Sequence, residues 1–118
     1  MTPRECLHVA TIAKPLLERS VVVAPVTRRV TAHPVRSSFN ATIGPAQETL
    51  PVAAITRRLA SITGTPLSHG EPLQVLRYEP GQQYKVHTDA LPGEANQRRV
   101  TAISYLNDGF KGGETHFP

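Results

Sequence analysis

Leu73-Gln74-Val75-Leu76-Arg77-Tyr78-Glu79-Pro80-Gly81-Gln82-Gln83-Tyr84-Lys85-Val86-His87-Thr88-Asp89 reads as two extended segments joined by a turn. Residues 73–78 have strand character, and Pro80-Gly81 marks the turn. Residues 84–87 resume the extended pattern. Side chains of an extended segment alternate between faces, so His87 and Asp89 point the same way. An imidazole and a carboxylate placed like this can cover one edge of a divalent metal ion and leave other positions open. That donor pair suits a 2-His-1-carboxylate iron(II) site. Taken alone the motif is weak, and a hydrogen-bonded surface histidine beside a solvated aspartate is the commoner reading.

The downstream residues weigh on that choice. A polar stretch, Leu91-Pro92-Gly93-Glu94-Ala95-Asn96-Gln97, leads into Arg99-Val100-Thr101-Ala102-Ile103-Ser104-Tyr105-Leu106, which alternates and is rich in β-formers. Asn107-Asp108-Gly109 closes that strand, and Gly112-Gly113 opens the final Glu114-Thr115-His116-Phe117-Pro118.

Upstream, residues 4–19 carry a helical apolar stripe through Leu7, Val9, Ala10, Ile12, Ala13, Leu16 and Leu17, and Pro15 is expected to kink or end it. Residues 20–24 read as a short strand, residues 27–32 as a polar, basic turn, and residues 33–39 as a second extended segment with Pro34 favouring an edge. Residues 48–62 form the strongest helix pattern. Leu50, Ala53, Ala54, Ile55, Leu59 and Ile62 are assigned to one face, with Thr49 as N-cap, Pro51 in the first turn and Gly64 just past the end. The helical stripes are expected to cover the outside of the sheet through Leu16, Leu17, Ala54, Ile55 and Leu59.

The chain has 118 residues, which suits one domain over residues 1–118. Residues 1–69 form a helical lead-in, and residues 70–118 carry the strands. Apolar residues make up 39%, there is no Trp, and the core must rely on Val, Ile, Leu and Ala. Eleven prolines and eight glycines argue against a helix bundle. The net charge is +4, and the basic residues are dispersed pairs such as Arg28-Arg29 and Arg57-Arg58. A solvated basic surface is therefore preferred over a nucleic-acid interface. The single cysteine, Cys6, excludes an intramolecular disulfide framework. With no apolar leader segment and no membrane-spanning run, a cytoplasmic protein is the expectation.

Three co-linear blocks, residues 76–89, residues 97–107 and residues 112–118, together resemble the catalytic domain of prolyl 4-hydroxylase-type Fe(II)/2-oxoglutarate dioxygenases. The resemblance implies an α+β fold: an incomplete double-stranded β-helix, or jelly roll, preceded by supporting helices. It implies His87 and Asp89 as ligands of Fe(II). It also implies that Tyr78, Tyr84 and Thr115 contact the co-substrate 2-oxoglutarate, with ascorbate in support. Arg98 is implied to face the substrate; Arg99 points to the opposite face, and spacing to Tyr105-Leu106 favours Arg98. The implied reaction hydroxylates a prolyl or other C–H bond of a peptide, protein or small molecule, releasing succinate and CO₂.

His116 is expected to be a bystander, and the family's distal histidine and basic co-substrate anchor have no counterpart in the strands of residues 70–118. The expectation is a C-terminally truncated domain. It is read either as an oxygenase or as an inactive remnant serving as a partner-binding module.

Overall fold

The computed structural model describes residues 1–23, 30–32 and 36–118. Helix α1 spans Pro3–Ala13. Thr2 accepts from the Glu5 amide, and the Glu5 carboxylate accepts from the Thr2 amide, which satisfies two free N–H groups at the helix start. The helix stops two residues before Pro15 and tightens into a 3-10 turn, Lys14–Leu16, because proline has no N–H for the ladder. Helix α2 spans Leu50–Thr63. Thr49 caps it, Pro51 sits in its first turn, and Gly64 ends it at φ 65°, where a residue with a Cβ is strained.

Strands β1 (Glu18–Arg19), β4 (Phe39–Ile43) and β5 (Leu73–Arg77) form an antiparallel sheet in the order β1-β4-β5. Strands β2 (Val21–Val23) and β3 (Val30–Ala32) pair separately. The β4–β5 register sets Ala41 opposite Val75 and Ile43 opposite Leu73, all turned to one face. On the other face Gln74 Nε2 donates to Thr42 Oγ1 at 2.9 Å. The apolar face meets Val9 and Ile12 of α1 and Val52, Ile55 and Leu59 of α2. Burying each large aliphatic side chain contributes about 1.5–3 kcal/mol. Arg58 clamps the Glu5 carboxylate with both guanidinium nitrogens, at 2.9 and 3.1 Å, and ties α2 to α1.

Several expectations change. The face of α2 that packs runs through Val52, Ile55 and Leu59, the i, i+3, i+7 row; Leu50, Ala54 and Ile62 are exposed. Residues 30–32 form a strand, and Asn40–Ile43 extend the second extended segment into the central strand. Ala24, residues 27–29 with Arg28-Arg29, and residues 33–35 lie outside the described residues.

The larger difference lies beyond Arg77. Neither residues 84–87 nor residues 99–106 form a regular strand, and Tyr78, Tyr84, His87 and Asp89 stand on irregular backbone. Tyr84 makes one isolated antiparallel bridge, to Arg36. An alternating pattern specifies which side chains share a face. A strand also needs a partner for its ladder, and among the described residues none runs alongside residues 99–106. Leu106 still packs against the core and fastens this segment to the helices and sheet.

Candidate metal centre

Residues 36–37 lead into β4 and capture the segment that carries the H-x-D motif. The Ser37 amide donates to the Gln83 carbonyl at 3.0 Å, and the Gln83 amide donates to Ser37 Oγ at 2.9 Å. With the Arg36–Tyr84 bridge, these bonds seat Tyr84 at the end of the sheet. The Arg36 guanidinium lies 5.3 Å from the Tyr84 ring centroid. The His87 imidazole stacks on Tyr84, with centroids 3.6 Å apart and planes within 10°.

His87 Nδ1 lies 2.7 Å from the Lys85 carbonyl oxygen. A carbonyl only accepts, so Nδ1 carries the proton and Nε2 of the neutral ring keeps its lone pair. Nε2 stands 3.5 Å from Asp89 Oδ1. Two donors about 2.1 Å from one ion and at right angles would be about 3 Å apart, so a small closure lets both reach one metal. The second carboxylate oxygen, Asp89 Oδ2, accepts from the Thr101 hydroxyl at 2.5 Å. Just past His87, Thr88 Oγ1 accepts from the Ala90 amide and shapes the following turn.

Thr101 also belongs to an open cleft of about 320 Å³, lined with Ile103, Tyr105, Thr115 and Phe117. Thr101, Ile103 and Tyr105 are alternate residues of one extended segment, so they share a face even without a ladder. Tyr105 OH pairs with Thr115 Oγ1 at 2.8 Å and with the Gly113 carbonyl at 3.1 Å. Tyr78 is exposed, yet partial desolvation of its phenol pushes the pKa up. The Arg98 fork is engaged by both oxygens of Glu71, at 2.6 and 2.7 Å, which holds the Glu71 carboxyl below its usual range.

The structure thus brings together His87, Asp89 and Tyr84, and gathers Thr115 with Tyr105 in the adjoining cleft. It turns Arg98 toward Glu71. His116 is exposed, and among the described residues no group of three or more His, Cys, Asp or Glu side chains gathers to hold a metal ion. The donor chemistry of His87 and Asp89 fits two adjacent positions on Fe(II).

Sequence reasoning passed over four supporting residues. Ser37 and Arg36 act across the fold, and no local pattern assigns them a role at the site. Gln97 ends the polar loop with no role legible in its spacing, yet its amide bonds the Leu91 N–H and C=O and the Glu94 carbonyl. Thr101 was legible only as a β-former.

A histidine and a carboxylate presented beside a cleft supply two of the three protein ligands of a 2-His-1-carboxylate iron site. The family model described as the 2OG-Fe(II) oxygenase superfamily matches residues 73–118. Probable prolyl 4-hydroxylase 10 of Arabidopsis thaliana is 38% identical over 123 residues, covering 100% of this chain and 42% of that protein. Prolyl 4-hydroxylase 1 of the same plant is 38% identical over 124 residues, covering 100% of this chain and 44% of its own length. The family match and these relatives together support a prolyl 4-hydroxylase-type 2-oxoglutarate/Fe(II) oxygenase domain. The chain spans just over two fifths of the length of these curated relatives.

Proposed function

We propose that the chain supplies the His-x-Asp half of the iron site in a prolyl 4-hydroxylase-type oxygenase domain, and that the whole domain is a jelly roll. The observation that carries this reading is the 3.5 Å approach of His87 Nε2 to Asp89 Oδ1, with the Nδ1 proton held by the Lys85 carbonyl. When bound there, Fe(II) supplies the oxidative chemistry that couples conversion of 2-oxoglutarate to succinate and CO₂ with hydroxylation of a C–H bond.

The chain's own residues bind and orient. His87 and Asp89 present a neutral nitrogen and a negative oxygen to the ion. Tyr84 keeps the imidazole plane in place. Tyr78, Tyr84 and Thr115 offer hydroxyl donors that bond a co-substrate carboxylate without adding charge. Arg98 engages a peptide or protein substrate once its hold on Glu71 is exchanged for the substrate's acceptor. Ascorbate supports turnover.

The test is a Mn(II) titration of the chain and of His87→Ala and Asp89→Ala. Each substitution is expected to weaken binding by about 10-fold or more, equal to about 1.4 kcal/mol. Binding unchanged in both variants removes this reading.

A further inference from the structure

The Asp89 carboxylate is held from two sides. Oδ1 faces His87 Nε2, while Oδ2 accepts a hydrogen bond from the Thr101 hydroxyl at 2.5 Å. That is the short range of a hydroxyl bonded to an ionised carboxylate. Thr101 reaches Asp89 across an intervening loop that is closed by one side chain. Gln97 Oε1 accepts from the Leu91 amide at 2.8 Å, and its Nε2 donates to the Leu91 and Glu94 carbonyls at 2.7 and 2.6 Å. Gln97 thereby ties residues 91–97 into a closed loop between Asp89 and Thr101.

We infer that Thr101 is a positioning residue that makes Asp89 a one-oxygen ligand. This inference rests on the reading of His87 and Asp89 as metal ligands. A free carboxylate can chelate an ion with both oxygens and so take up two coordination positions. With Oδ2 engaged by Thr101, only Oδ1 is available, and it is already turned toward His87 Nε2. The position that Oδ2 would otherwise fill stays open for an exogenous ligand. Thr101 also lines the cleft beside the site. Partners that orient a ligand typically alter metal affinity by 10- to 100-fold.

The test compares the chain with Thr101→Ser, Thr101→Val and Thr101→Ala, using Mn(II) affinity and the visible absorption of the Co(II)-loaded protein as readouts. Far-UV circular dichroism checks that each variant folds, and His87→Ala serves as the ligand control. Thr101→Val and Thr101→Ala are expected to lose about 10-fold in Mn(II) affinity and to shift the Co(II) bands toward higher coordination, while Thr101→Ser stays within about twofold of the parent. Two results overturn the inference and leave the ligand assignment standing. In one, Thr101→Val and Thr101→Ala keep parental affinity and spectrum while His87→Ala loses binding. In the other, Thr101→Ser loses as much as they do. Binding that survives His87→Ala unchanged removes the ligand assignment and the inference with it.

Discussion

The Tyr84 ring lies flat against the His87 imidazole, 3.6 Å from centroid to centroid, and the bridge from Tyr84 to Arg36 anchors that stack to the end of the sheet. Stacked aromatic pairs contribute about 0.5–1.5 kcal/mol beyond their buried area, so the contact is strong enough to set an exposed ring's orientation. Tyr84→Leu is expected to weaken Mn(II) binding by about 2- to 10-fold, whereas Tyr84→Phe keeps the stack and the affinity. Calorimetric titration of both variants checks this. Equal losses would assign the effect to the phenol oxygen instead.

The loop between the metal motif and Thr101 depends on Gln97. Gln97→Ala is expected to speed hydrogen exchange at the Leu91 amide, because that N–H loses its acceptor, and to weaken Mn(II) binding in the same direction as Thr101→Val. Exchange measured residue by residue would expose an error here: an unchanged Leu91 rate means that the backbone closes the loop without the side chain.

The ion pair between the helices makes a pH prediction. The Arg58 guanidinium, with the Thr2 amide, holds the Glu5 carboxyl down at about 2 against an ordinary value of 4.5. A carboxyl with a depressed folded-state pKa stabilises the protein above its unfolded value and loses that contribution as pH falls through the folded one. The melting temperature of Glu5→Gln should therefore lie below that of the parent at pH 7. The gap should close as pH falls from about 4.5 toward 2. A gap that persists at pH 2 would point to packing rather than charge.

Helix α2 makes the sharpest stability prediction. Ile55 is 2% exposed and Leu50 is 87% exposed. Ile55→Ala should cost about 2–5 kcal/mol, and Leu50→Ala should stay within about 0.5 kcal/mol of the parent. Urea unfolding of the two variants measures the difference directly. Comparable losses at both positions would restore the face that includes Leu50.

Local chemistry was the most legible part of this chain. Thr49 as cap, Pro15 as helix stop, Gly64 past the end of α2 and residues 73–77 as a strand all follow from side chains acting on their own backbone within a turn. The apolar face of α2 was less legible. Leu50 and Ile62 sit at the helix ends, where periodicity alone does not say which turns reach the sheet, and Val52 is the residue that reaches it.

The motif shows the same division. The proximity of His87 and Asp89 was inferred from extended alternation, yet the pair meets on irregular backbone through bonds that alternation does not describe. By itself the sequence determined the stops at Pro15 and Gly64, the Leu73–Arg77 strand and the residue types of a His-x-Asp pair, because each depends on short-range sterics and hydrogen bonding. Only the tertiary structure decided that Arg36 and Ser37 seat Tyr84, that Glu71 occupies Arg98 and that Thr101 holds Asp89. Those contacts join residues from 12 to 48 positions apart. Their energies come from bringing distant segments together, and no local pattern encodes which segments meet.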